Sequence, residues 1–173
     1  MKPSHTIAEL NVLSRDEFVR LIGPVFEHSP WIAEETWAKR PFSGVETLGH
    51  RLCETVLMAS EEKQLALIRA HPDLVGKAAL AGALTAASNS EQASAGLDQL
   101  TPDEIAAFQK FNQAYREKFG FPFIICARLN KKAAILNGFH IRLNNSREQE
   151  IQTAIEEIFK IARLRLEDIV ESA

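Results

Sequence analysis

Acid/base chemistry needs a group that titrates near neutrality, a carboxylate to partner it, and donors and acceptors that hold a polar ligand. One stretch, HPDLVGKAALAGALTAASNSEQ at residues 71–92, supplies all three. His71 stands directly before Pro72, and a residue before proline is pushed out of the right-handed helical region, so the apolar helix leading to it must stop there. Its side chain then points away from regular packing. Downstream, Gly76, Ala78, Ala79, Ala81, Gly82 and Ala83 leave room for close approach, and Ser88, Asn89, Ser90, Glu91 and Gln92 offer hydrogen-bonding groups in succession. An imidazole of unperturbed pKa ~6.5, an acid and an amide are the parts of a proton-transfer site. Plainer explanations stand beside this one. A cationic imidazole at a helix C-terminus is stabilising in itself, and Ser88 with Glu91 reads as a capping box.

The elements that must position these groups are helical. Ser14 with Glu17, Ser43 with Glu46, Ser88 with Glu91, Thr101 with Glu104 and Ser146 with Gln149 all have the S/T-x-x-E/Q form of a helix start. Residues 15–22 place Phe18, Leu21 and Ile22 on one face before Gly23-Pro24 ends the run. Pro30 opens a helix carrying Trp31, Ile32 and Trp37, which Arg40-Pro41 breaks. Ser43 is expected to cap a third helix to about Ala59, with Val45, Leu48, Leu52, Val56 and Leu57 buried, and Ser60 to start a fourth that runs to His71. A short helix is expected over residues 73–81 and another opening near Ser88, ended by Gly96. Thr101 begins a long helix with Ile105, Phe108, Phe111, Asn112, Tyr115 and Phe119 at helical spacing and Gly120 as its stop. FPFIICA at residues 121–127 would pass for a strand, but a lone strand has nothing to pair with, so buried extended chain or a buried turn of helix is expected there. Its polar backbone groups then need partners, one of which could be a ligand. Residues 131–143 and 147–169 read as the last two helices. The spacing predicts an all-α fold, a single compact domain over residues 1–173 of eight to nine helices with no credible sheet, residues 1–12 being an N-terminal tail.

Composition narrows the function. The chain has 173 residues, 46% hydrophobic and 25% charged, with net charge −3, which fits one ordinary globular domain and argues against a general nucleic-acid binder. No run approaches the ~20 apolar residues of a membrane span. The first ten residues, MKPSHTIAEL, lack an apolar signal core, and the last five, IVESA, are not an SKL-type address, so a cytoplasmic location is expected. Cys53 and Cys126 are isolated and read as reduced thiols. No HExxH or Cys/His cluster supports a metal, no GxGxxG follows a strand, and no GxSxG elbow occurs. His5, His28, His50 and His140 lack ligand-spaced companions and read as plain surface or core histidines.

Five segments, in order and covering nearly the whole chain, resemble the 2-oxo-4-hydroxy-4-carboxy-5-ureidoimidazoline (OHCU) decarboxylases of urate breakdown. They are the tryptophan-then-RPF stretch (31–42), HPDLVGKAALAG (71–82), LTAASNSEQASAGLDQL (84–100), NQAYREKFGFPFIICAR (112–128) and the closing RLNNSREQE…IEEIFKIARLRL. The resemblance implies an all-helical homodimer that decarboxylates OHCU to (S)-allantoin without a cofactor or metal. Carried over by position, it implies that His71 is the catalytic acid and Glu91 its carboxylate partner. Pro72, Ser88, Asn89, Ser90, Glu91, Gln92, Phe123, Ile124, Ile125, Cys126 and Ala127 are implied as substrate contacts. On this reading Glu91 and Gln92 grip N–H groups of the ligand, and backbone N–H groups of residues 124–127 hold its oxygens. Whether Arg142 or Arg165 reaches the ligand or lies on solvent stays open at this point. The β-rich transthyretin-like domain sometimes fused to this family is not seen, so one reaction step is expected. The competing readings are a non-catalytic helical interaction module and a decarboxylase or lyase for another ureido acid.

Overall fold

The computed structural model describes residues 4–171. Their helices are α1 (Ile7–Val12), α2 (Arg15–Ile22), α3 (Trp31–Trp37), α4 (Val45–Leu57), α5 (Glu61–Ala70), α6 (Lys77–Leu80), α7 (Ala86–Ser94), α8 (Pro102–Phe119), α9 (Lys132–Arg142) and α10 (Arg147–Ile169), with 3-10 turns at Gly23–Val25 and Ala127–Leu129. The extended contacts among the described residues come down to one isolated bridge, His5 to Val170. The fold is all-α. The helix added to those the sequence predicts is α1; α6 is a single turn at the end of the segment expected over 73–81.

Local signals explain most boundaries. Ser14 and Thr101 form the expected capping boxes with Glu17 and Glu104, and Ser146 exchanges bonds with Gln149 in the same way. Gly120 ends α8 at φ 79°, a left-handed conformation that costs glycine nothing. Four expectations are corrected. Residues 7–12 are a helix, not tail: Thr6 and Glu9 make a capping box and Leu10 is fully buried, while Met1, Lys2 and Pro3 lie outside the described residues. Helix α4 starts after Gly44, because the Ser43 hydroxyl bonds Thr47 (2.8 Å) rather than the backbone. Its stripe is Leu48, Leu52, Thr55 and Val56, the i, i+4, i+7, i+8 set, which leaves Leu57 60% exposed. Finally, residues 73–76 are not helical, since side chains take the polar groups of Leu74 and Val75 out of any helical ladder.

By its contacts the chain divides into two compact units, one of residues up to Ala70 with those from Phe159 on, the other His71–Ile158. In the first, Phe18, Ile22, Phe26, Ile32, Leu48, Leu52 and Val56 are buried. The Asn11 side chain binds the Phe42 backbone in both directions (2.9 and 2.8 Å), and the buried pair Arg165–Glu27 closes at 2.9 Å. The second has an aromatic core of Tyr115, Phe119, Phe121, Phe123 and Phe139, with Phe123 stacked on Phe139 at 3.8 Å. All the candidate site residues belong to this second unit.

Candidate active site

Helix α5 ends at Ala70, and His71 follows it with only 7% of its surface exposed. The next residues form a tight irregular loop. Val75 takes a positive φ of 53°, and a Cβ on Gly76 would stand 2.7 Å from that of Asp73, so no side chain fits at 76 without displacing the loop. Side chains of two helices fasten this loop. From α8, Asn112 Nδ2 donates to the Leu74 carbonyl (2.7 Å) and Arg116 Nε to both Asp73 carboxylate oxygens (2.9 and 3.0 Å). From α7, Gln92 Oε1 accepts from the Val75 N–H at 3.0 Å.

Helix α7 starts one turn earlier than expected. Thr85, not Ser88, is its N-cap, the hydroxyl accepting from the Ser88 N–H. The capping explanation of Glu91 therefore falls away, because Glu91 stands in the body of the helix. Ser88 and Gln92, four residues apart, are buried on one face, with Glu91 half-buried beside them. Asn89 and Ser90 are exposed, Ser90 falling on the opposite side of the helix from that face.

The third wall is the segment after α8, buried extended chain as the sequence suggested: Phe123, Ile124, Cys126 and Ala127 are buried and Ile125 is half-buried. Side chains satisfy much of its backbone. Arg142 donates to the Ile124 carbonyl at 2.5 Å and lies 4.2 Å over the Phe123 ring, and Glu157 Oε2 accepts the Cys126 N–H at 2.7 Å. That N–H is thus committed to the protein and is not offered to a ligand, contrary to the sequence expectation. Helix α7 packs on the Ala127–Leu129 turn. Burial, with further contributions from the nearby Glu157 and Glu91 carboxylates, pushes the Cys126 thiol above its usual range. Glu91, Glu157 and Cys126 therefore share one neighbourhood. A thiol held neutral in this way is a wall, not a nucleophile.

Arg142 itself is held by Glu150 (2.9 Å), which also accepts from the Tyr115 hydroxyl. Burial and this bond push the Tyr115 phenol up. Arg142 thus braces the wall from behind, and Arg165 is bound to Glu27, so neither lies on solvent. Sequence reasoning missed Glu157, Asn112 and Glu150. Glu157 and Glu150 do carry a signal, since each is an acid on the apolar face of α10, where an uncompensated charge would be too costly to bury. A separate cavity of about 430 Å³, lined by residues of the first unit such as Phe26, His50, Cys53, Phe159 and Leu166, contains none of the candidates.

The arrangement suits a small polar ligand. It puts a buried imidazole and a buried amide on tethered segments, and a carboxylate next to an apolar wall. Comparison with known proteins identifies the family. The OHCU decarboxylase family model matches residues 11–167. A protein of Halalkalicoccus jeotgali named 2-oxo-4-hydroxy-4-carboxy-5-ureidoimidazoline decarboxylase is 43% identical over 164 residues, covering 95% of this chain and 91% of that one. The Mus musculus protein of the same name is 38% identical, covering 95% and 92%. The crystal structure of an (S)-allantoin synthase superposes with a TM-score of 0.72 at 29% identity, covering 94% of this chain and 53% of that one. With its fold and nearly its whole length in common with these proteins, the chain belongs to the OHCU decarboxylase family of carboxy-lyases.

Proposed function

We propose that this chain decarboxylates OHCU to (S)-allantoin, one step of urate degradation, with His71 as general acid and Glu91 as its carboxylate partner. The observation that carries this reading is the Val75–Gln92 bond. It ties the loop that begins at His71 to the helix that bears Ser88, Glu91 and Gln92. The substrate supplies its own electron sink. When the bond from the ring carbon to the carboxylate breaks and CO2 leaves, the electron pair moves toward the adjacent imine-type carbon that bears the ureido group. The C=N electron pair of that imine is displaced onto the ring nitrogen, which takes up a proton; a second proton, delivered to the carbon from one face, creates the stereocentre, and the hydroxyl on the decarboxylated carbon loses its proton to become the product carbonyl. No cofactor is required by this balance.

The protein's tasks are to orient the carboxylate out of the ring plane, bind the ring and ureido groups, exclude water and deliver that proton. His71 supplies the proton or engages the hydroxyl. Glu91 holds the imidazole or a ligand N–H, Ser88 adds a hydroxyl contact, and Pro72 with Phe123, Ile124, Ile125, Cys126 and Ala127 encloses the ligand. Asn89 and Ser90 have exposed side chains, and the Asn89 N–H is bonded to the Thr85 carbonyl (2.9 Å), so they stand at the margin of the proposed contacts. The same proposal takes the chain as one catalytic domain that acts as a homodimer in the cytoplasm. Its support is the family membership, together with the finding that no described helix is long and apolar enough to cross a membrane. The test is substitution: His71→Asn and Glu91→Ala should each lower turnover of freshly generated OHCU by about 10²–10⁴-fold, the usual span for losing a positioned acid or base, with helical circular dichroism unchanged. Near-normal turnover in either variant removes that residue from the mechanism.

A further inference from the structure

The loop after His71 holds a conformation that its own residues oppose. Val75 is β-branched, buried and left-handed at φ 53°, a combination that valine adopts only when its surroundings impose it. The imposing groups are identifiable. Asn112 Nδ2 pulls on the Leu74 carbonyl at 2.7 Å, immediately before Val75, and Gln92 Oε1 receives the Val75 N–H at 3.0 Å. Asn112 is 6% exposed, and its Oδ1 is buried with no hydrogen-bond partner among the described residues. A leucine of similar volume would avoid burying an unsatisfied oxygen, so packing alone does not account for the amide. What the amide contributes is its donor end.

The direction of the bond at Gln92 matters as well. A backbone N–H can only donate, so the end of Gln92 facing Val75 must be the oxygen, and the amino end is the one turned to other partners. The sequence reading had Gln92 gripping N–H groups. Its fixed orientation instead makes it a donor to oxygen.

We propose that Asn112 is a positioning residue of the site: by holding the Leu74 carbonyl it keeps Val75 left-handed, and the Val75 N–H then fixes Gln92 with its amino group toward a carboxylate or carbonyl oxygen of the substrate. The inference rests on the decarboxylase reading above. Arg116, four residues on along α8, tethers Asp73 in the same loop. That pair is exposed, and the buried amide is the tighter hold.

Asn112→Ala should lower kcat/KM for OHCU on the order of 10- to 100-fold, the effect of a binding group misplaced by about an ångström, with a raised KM carrying most of it. Glycine at 75 adopts a left-handed φ without strain, so Asn112→Ala combined with Val75→Gly should recover kcat/KM several-fold over Asn112→Ala alone, even though losing the buried valine lowers the melting temperature. A residue that served only to pack would give the opposite, each change adding to the damage. Asn112→Asp keeps the shape and removes the donor, and serves the same comparison should the alanine variant not fold. An active wild type whose Asn112 variants keep full kcat/KM, or gain nothing from Val75→Gly, overturns the positioning role and leaves the decarboxylase reading standing. A wild type inactive on OHCU overturns that reading itself.

Discussion

The residues that could do chemistry were legible because their types are unusual for their places. A histidine before proline and an SxxEQ cluster beside small residues stand out in any helical chain, and both proved to lie on segments joined through Gln92 and Val75. What could not be read was which groups the protein reserves for itself. Glu157 takes the Cys126 N–H and Arg142 takes the Ile124 carbonyl, contacts made over 31 and 18 residues that no local pattern encodes. The neutral state of Cys126 has a consequence. Cys126→Ala should leave decarboxylation within a few-fold of wild type, and the native thiol should react slowly with iodoacetamide at neutral pH, since the thiolate is the nucleophile. Loss of turnover in Cys126→Ala would give the sulfur a direct part. Cys53, outside the candidate site, is likewise pushed up by burial to about 11 from an ordinary 9. Because the folded state holds this proton more tightly, its contribution to stability is present in full below pH 9 and is lost as pH rises through about 11.

At the scale of elements, most helix starts with a single candidate cap were read well, Ser43 being the exception. Ser14, Thr101 and Ser146 each cap as expected. Where two serviceable caps stood one turn apart, the pattern was ambiguous. LTAASNSEQ offers both Thr85 and Ser88, and the earlier one wins, gaining a turn of helix and freeing Ser88 and Glu91 for the site. Thr6 with Glu9 has the same form and forms a capping box in residues that the sequence assigns to an N-terminal tail. Thr85→Ala should therefore cost about 1 kcal/mol and lower the melting temperature by about 2–4 °C for a chain of this size. No change in melting would mean that the cap bond is dispensable. The non-helical loop at 73–76 was illegible for a different reason. Its conformation is imposed by side chains from α7 and α8, residues 92, 112 and 116, rather than by its own sequence.

On the scale of the whole molecule, the all-helical architecture followed from the recurrence of apolar residues, and residues 147–169 were read to their true ends. The buried charge was less legible. Glu150 is fully buried with Arg142 and Tyr115, and Glu27 with Arg165. Removing one member of such a set leaves an unpaired charge in the interior, so Glu150→Ala should cost about 3–5 kcal/mol, a fall of roughly 10 °C in melting temperature. Arg163→Ala breaks only the exposed pair with Glu167 and should cost about 0.5 kcal/mol or less. Equal effects would contradict the assignment of stability to the buried set. The decarboxylase reading as a whole is decided by the stereochemistry of the product. OHCU generated in place and treated with the wild-type protein should give allantoin faster than its spontaneous decay, with the circular dichroism of a single (S) enantiomer, because one protein face delivers the proton. Racemic allantoin formed at the background rate would contradict the account.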